Sequence, residues 1–550
     1  MSSAPLSGGS PGRGLGRWRR VQLPSPGQGP YRSLWVGLAL LALLRLPSLF
    51  EPHWYSDESD YATTAWLMSH GKILYLTVWD NKPPVLFWIY QLAMGLFGPS
   101  EWGLHLLSLT TGLGALIGTW QLARSYLAPA RVWIAVLVGA VLLGTPVFNG
   151  DLALPENFLI AFTVWAMVAL LASMRATSGR RAVTWAALAG VLFGIAFLIQ
   201  QTALADLAAG VLVVGWGRRG RLDLAVTAVA AAGLVVVLVM APFVAAAGLG
   251  DVIHFTVLTY VKYTGNSLKP SLLDLAPRGV AALLLLVGAF WGRSWEPERR
   301  LPWIWLGALL LAYVLPDRAY LHFLLPEVPA AALLLARIGL RRPGIEVSRA
   351  RLALAPLLGA VLVSGLLWGG LVGSDIARGK HLTFTFTAQY YPSFVERATG
   401  ALSAEAYSAT YSQNPQSEQH ALAWLRRHRL RGSSAVVWGS NVWPYVLGDL
   451  HPVLPVPETY NDRAWLGVPQ MMSRIERSRP RIILFFPGSR RVAGYILPLL
   501  HRSYTEVEAD GRGKLWIRRE LARRLYLTRM VRLQPRPGRA GSPGRLPKLF

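Results

Sequence analysis

The side chains best suited to chemistry crowd into one stretch, Glu51 to Trp102. Asp57, Glu58 and Asp60 stand almost side by side with Tyr61 next to them, and Asp80, Asn81 and Lys82 follow just ahead of Pro83 and Pro84. A carboxylate can take the proton of an attacking hydroxyl, and an ammonium group can absorb the negative charge that builds on a departing phosphate. Farther along, Asp151 and Glu156 add carboxylates, while Arg318, Tyr320 and His322 bring a cation, an aromatic ring and an imidazole ahead of Pro326 and Pro329. Ordinary explanations compete. Asp57 and Glu58 suit a helix N-terminus, Asp80 and Lys82 a surface ion pair, and His322 a hydrogen-bonded packing role.

Which explanation holds depends on the elements that carry these residues. The chain has 550 residues, of which 53% are hydrophobic and only 15% charged, against about 25% charged in soluble domains. Its apolar residues gather into runs of roughly 17 to 24, the length that crosses a hydrocarbon core. The sequence predicts spans at 33–50, 103–125, 132–149, 157–174, 182–199, 202–217, 223–247, 275–292, 301–316, 319–337 and 352–373, about eleven in all. The net charge of +26 is carried by arginines that punctuate these runs or fill the terminal tails, with no basic, aromatic-studded face for nucleic acid. The absence of cysteine excludes disulfides, thiolate metal sites and cysteine nucleophiles.

Charge orients the array. With the N-terminus inside, the inner connections carry Arg124 and Arg131; Arg175, Arg180 and Arg181; Arg218, Arg219 and Arg221; Arg293, Arg299 and Arg300; and Arg337, Arg341, Arg342, Arg349 and Arg351. The opposite connections hold the acids of the first loop, then Asp151 and Glu156, then a segment with Lys262 and Lys269. The positive-inside rule thus predicts a multi-pass membrane protein with its N-terminus in the cytoplasm and its C-terminal domain outside. Residues 1–32 read as a disordered basic tail, 33–373 as the transmembrane module, 374–519 as a small external α/β domain and 520–550 as a second basic, disordered tail. Strands are expected at Ser434 to Trp438, Pro452 to Val456 and Arg481 to Phe486, with a hairpin across Asp510 to Gly513.

The loop 51–102 is far longer than a bare connection requires. Ser56 is expected to cap a helix running from Asp57 towards His70, with Asp57, Asp60, Tyr61 and Thr64 on one polar face and Ala62, Ala65, Trp66 and Met68 meeting the bilayer interface. A second amphipathic stretch follows from Val85 to Phe97. Helix capping alone does not account for three carboxylates at a membrane edge, where unpaired charge is costly. Arg45 and Asp206 fall inside spans; Arg45 lies close enough to an end to snorkel. Tyr390 and Tyr391 suit an interfacial aromatic belt.

These motifs resemble a known family. Ser56-Asp57-Glu58-Ser59-Asp60-Tyr61, Asp80-Asn81-Lys82-Pro83-Pro84, Phe97-Gly98-Pro99-Ser100-Glu101 and Gly150-Asp151 are similar to elements of the C-type glycosyltransferases, in particular bacterial enzymes like aminoarabinose transferase and the protein O-mannosyltransferases. The resemblance runs over about residues 34–335 and is strongest from 56 to 160, whereas the C-terminal domain matches loosely. It implies transfer of a sugar from a polyprenyl-phosphate carrier to a glycan, lipid or protein acceptor at the outer face of the bilayer. Asp57 then matches the catalytic aspartate and Asp151 the second acid, while Lys82, with Arg318 and His322, matches the donor-phosphate side. Glu58, Asp60, Tyr61 and Asp80 complete the expected substrate contacts. A carboxylate base with no covalent intermediate implies single displacement with inversion.

The pattern also departs from the family. Gln200 and Gln201 stand where relatives often carry a lysine. Relatives can hold a divalent ion with an acid just before the Lys-Pro pair and a later histidine; here Asn81 fills that place, with Asp80 one earlier and His254 as the later residue. No cofactor is therefore assigned, and a divalent metal stays an alternative. The rival function is a transporter or flippase for lipids or lipid-linked glycans, which would place its site near the midplane on broken helices rather than in a long loop at one edge.

Overall fold

The structure is a computed structural model that describes residues 31–217, 219–259, 272–314, 320–338, 383–412, 414–459, 465–486, 494–509 and 514–533. Arg318, Lys262, Lys269, the expected span 352–373, the expected hairpin turn at 510–513, the N-terminal tail and most of the C-terminal tail lie outside those residues.

The apolar runs form helices: α1 (Arg32–Arg45), continued by a 3-10 turn to Phe50, α2 (Ser56–Ser69), α3 (Pro84–Phe97), α4 (Glu101–Tyr126), α5 (Pro129–Gly144), α6 (Pro155–Arg175), α7 (Gly179–Ile199), α8 (Leu204–Gly215), α9 (Leu222–Ala247), α10 (Leu272–Ala289), α11 (Pro297–Val314) and α12 (Val328–Ile338). Proline opens α3, α5 and α6, where its missing N–H has no intrahelical partner to lose. Among the described residues, five helices are long and apolar enough to cross a membrane: Arg32–Phe50, Glu101–Tyr126, Pro155–Arg175, Gly179–Ile199 and Leu222–Ala247. The predicted run 319–337 is not one continuous α-helix, because Leu321–Glu327, which contains Pro326, is 3-10 and only the remainder is α12.

Between lipid-embedded helices the hydrophobic effect gives little drive, so close packing must hold the bundle together. The α7–α9 contact shows how. A Cβ on Gly190 would collide with the Ala228 carbonyl oxygen, and one on Gly194 would stand 2.9 Å from that of Ala232. The opposite face of α9 exposes Leu222, Val226, Leu234, Val237 and Leu238, as a lipid-facing surface would.

The C-terminal region begins with α13 (Thr383–Ala398), α14 (Ala404–Tyr411) and α15 (Asn414–Arg427). A five-stranded sheet follows in the order β2-β1-β3-β5-β4, built from β1 (Ser434–Trp438), β2 (His451–Pro452), β3 (Ile482–Phe485), β4 (Tyr504–Ala509) and β5 (Lys514–Arg518). β1 runs parallel to β2 and β3, and β5 runs antiparallel to β3 and β4. Alternate side chains leave opposite faces of a strand. Ala435, Val437, Ile482 and Leu484 accordingly pack with Leu425 of α15, while Val436, Trp438 and Ile483 pack with Met471 and Ile475 of α16 (Val468–Ser478). Both faces are covered, which is why β1 reads as an unbroken apolar run.

Four expectations are corrected here. The strand at Pro452 to Val456 shrinks to His451–Pro452, since Pro452 and Pro455 cannot donate to a ladder; the Pro455 carbonyl takes the Trp79 N–H instead, at 2.8 Å. Ser56 does not cap α2 but is its first residue, and its hydroxyl donates to Asp57 Oδ1 at 3.3 Å. Ala62 and Ala65 do not meet a bilayer, for both are fully buried in a cluster with Trp443 and Val446 of the C-terminal domain. The arginine-rich tail starts as an ordered helix, Arg519–Leu533.

Candidate functional site

Asp57 sits in the first turn of α2, half-buried, on the segment that joins the first span to the surface helices. Burial lifts its carboxyl above the ordinary aspartate range; the His322 and Lys82 charges oppose that lift and Glu156 adds to it. These are the three charged side chains whose fields reach Asp57. Lys82 is 8% exposed, in a turn fixed from both sides. Its N–H donates to Asp80 Oδ1 at 2.7 Å and its carbonyl accepts the Tyr75 hydroxyl at 2.8 Å. Burial pushes Asp80 up to about 6 even though the Lys82 N–H and ammonium hold it down. The Asp80–Lys82 element is thus a buried loop brace rather than a surface ion pair. His322, in the 3-10 turn before α12, stacks on Tyr320 with ring centroids 5.3 Å apart and an interplanar angle of 9°.

Asp151 is buried and raised by that burial, and the groups that act on it are Arg45, His105 and Glu58, a separate cluster. Glu156 is the carboxylate whose charge acts on Asp57, and the Lys82 ammonium acts on it in turn. It follows Pro155 in the first turn of α6, and an acid at the mouth of an apolar run was the signal that could have singled it out.

The three α2 residues expected to contact substrate are all buried. Glu58 is fully buried and accepts from the Ala153 N–H at 2.5 Å and pairs with His105 Nε2 at 3.0 Å, while His105 Nδ1 bonds the Ser48 carbonyl at 2.5 Å. It ties α2 to α4 and to the loop before α6; removing it would strand a buried imidazole and a buried N–H. Asp60 is 5% exposed, and Tyr61 packs edge-on to Phe87 and Tyr90. Tyr390 and Tyr391 form no interfacial belt: the Tyr390 hydroxyl donates to Glu51 Oε1 at 2.6 Å and that of Tyr391 to the Leu44 carbonyl at 3.2 Å. Arg45 does not snorkel, since it is 1% exposed and donates inward to Ser108 Oγ at 2.7 Å. Asp206 accepts the Trp305 indole N–H at 2.7 Å, a packing role.

Gln201, in the place of the family's lysine, stitches two segments together by donating to the carbonyls of Asn81 at 2.7 Å and Thr256 at 3.0 Å. Among the described residues no group of three His, Asp or Glu side chains is arranged to hold a metal ion.

The chain thus joins a helical array, a long first loop bearing an acid and a lysine, and a small α/β domain packed on that loop. The family model for dolichyl-phosphate-mannose-protein mannosyltransferase matches residues 81–245. ArnT from Cupriavidus metallidurans, solved bound to undecaprenyl phosphate, has the same fold, with a TM-score of 0.55 at 16% identity over 89% of this chain and 98% of that one. The apo form of ArnT from that organism gives 0.55 at 16% over 88% and 97%. An apo oligosaccharyltransferase from Archaeoglobus fulgidus reaches 0.47 at 13% over 87% and 73%. No curated protein matches by sequence. The recognition of the C-type glycosyltransferases made from the sequence is borne out.

Proposed function

We propose that this protein transfers a sugar from a polyprenyl-phosphate carrier to a hydroxyl or amine at the outer face of the membrane. The observation that carries the reading is the Asp57 carboxyl, half-buried in the first turn of α2 within the fields of Lys82, Glu156 and His322. Asp57 takes the proton of the acceptor as its oxygen or nitrogen attacks the anomeric carbon. The bond from that carbon to the phosphate oxygen breaks, and Lys82, with Arg318, neutralises the charge left on the carrier. One displacement inverts the anomeric configuration. Glu156 takes the role first given to Asp151, holding the acceptor and keeping a second negative charge near Asp57. ArnT, solved with undecaprenyl phosphate, supports a long polyprenyl carrier.

The pH dependence follows from Asp57. A base works ionised, so kcat/KM falls as pH drops through its folded pKa, which burial raises above the usual value of about 3.9. Release of undecaprenyl phosphate from undecaprenyl phosphomannose should therefore fail on acidification before an exposed aspartate would protonate. A rate that stays flat down to about pH 4 would remove Asp57 from the base role.

We further read the chain as having about eleven spans, its N-terminus in the cytoplasm and its α/β domain outside the plasma membrane, on the strength of the basic inner connections. The lack of native cysteine makes this simple to check. Lys72→Cys and Arg477→Cys should react with an impermeant maleimide on intact cells, and Arg180→Cys only after permeabilisation. Any other pattern rejects the orientation.

A further inference from the structure

Helix α2 opens without a side-chain cap, and Glu58 ties its first turn to His105 and to the Ala153 N–H. A second set of bonds, on both sides of Asp57, comes from the C-terminal domain. The Val442 N–H donates to Ser59 Oγ at 2.9 Å, and the same hydroxyl donates to the Ser56 carbonyl at 2.6 Å, inside the turn that holds Asp57. Thr63 Oγ1 donates to the Val442 carbonyl at 3.2 Å. On the other side of Asp57, Asn441 Nδ2 donates to the His53 carbonyl at 3.0 Å, in the segment that leads into α2. Asn441 Oδ1 accepts the Trp443 N–H at 3.2 Å, which keeps its own loop folded, and the buried Trp443 ring meets His53 edge-on at 4.6 Å. This loop leaves the end of β1, a strand with a parallel neighbour on each side, so it is anchored to the stiffest part of the domain.

We propose that the Ser440–Trp443 loop of the C-terminal domain is a positioning element for Asp57, with Asn441 as its chief residue; the inference rests on the reading of Asp57 as base. The domain then reaches catalysis without touching substrate, by gripping the helix on both sides of the reacting carboxylate. A displacement of about 1 Å in such a group can cost about a hundredfold in rate.

The test uses the full chain in nanodiscs with undecaprenyl phosphomannose as donor and an envelope extract as acceptor. Asn441→Ala should lower kcat by about 10- to 100-fold while the donor KM stays within about threefold. In the Asp57→Asn background the same change should cost less than about twofold more, because two residues acting through one step are not additive. Ser59→Ala carries the same expectation if Asn441→Ala is not recovered folded. Losses that multiply in the double variant, a change confined to KM, or a kcat at the wild-type level would overturn the inference. If Asp57→Asn is inactive while Asn441→Ala is fully active, only the positioning role falls; if Asp57→Asn itself is active, the base assignment falls.

Discussion

Asp57→Asn should lower kcat for sugar transfer by about 10²- to 10⁴-fold, the range a positioned general base contributes, and leave donor affinity within about threefold. The substitution keeps the size of the side chain and its ability to accept from Ser56 Oγ, so α2 has no reason to move. It removes a negative charge from a group that already holds Glu156 and Asp80, which eases rather than strains the resting protein. What it cannot do is accept a proton, and that need arises only as the acceptor attacks. The loss should therefore appear in kcat and kcat/KM together, as for an interaction made only in the transition state. A normal kcat in correctly inserted protein would end the base assignment.

Lys82→Met is expected to act on both parameters. The carrier phosphate is charged in the ground state and gains charge as the sugar leaves, so its cation should favour binding and favour the transition state more strongly. A loss of about 10²- to 10³-fold in kcat is expected, with a raised donor KM. The same substitution has a second, independent signature. Lys82 holds the Asp57 carboxyl down, so without it that pKa rises further and the acid limb of the rate profile moves to higher pH. An unchanged acid limb would mean that Lys82 does not face Asp57. Lys82→Arg, which keeps the charge, should leave the limb near its original place.

How much of this was legible in the sequence depends on the range of the interaction. The spans follow from composition over a single run, so α4, α6, α7 and α9 fall close to their expected places, as do β1, β3 and the final hairpin. The roles proposed for Asp57 and Lys82 draw only on the local motif. The errors are long-range. Glu58 could be seen as a brace only once His105 and Ala153 came to lie beside it, and the burial of Ala62 and Ala65 needed a domain that lies hundreds of residues away in the chain. Asp151 and Glu156 stand on either side of Pro155, and only the fold separates them, with Arg45 acting on the first and Lys82 on the second. Arg45 and Tyr390 carry the snorkelling and belt patterns yet turn inward, because each finds a buried polar partner there.

The most direct test of the account is to incubate the purified protein in liposomes with undecaprenyl phosphomannose and an envelope acceptor and to weigh the lipid products by mass spectrometry. The account predicts one free undecaprenyl phosphate for each mannose transferred, with neither product formed by the Asp57→Asn protein. Recovery of the donor intact in the opposite leaflet, or equal product from both proteins, would contradict it.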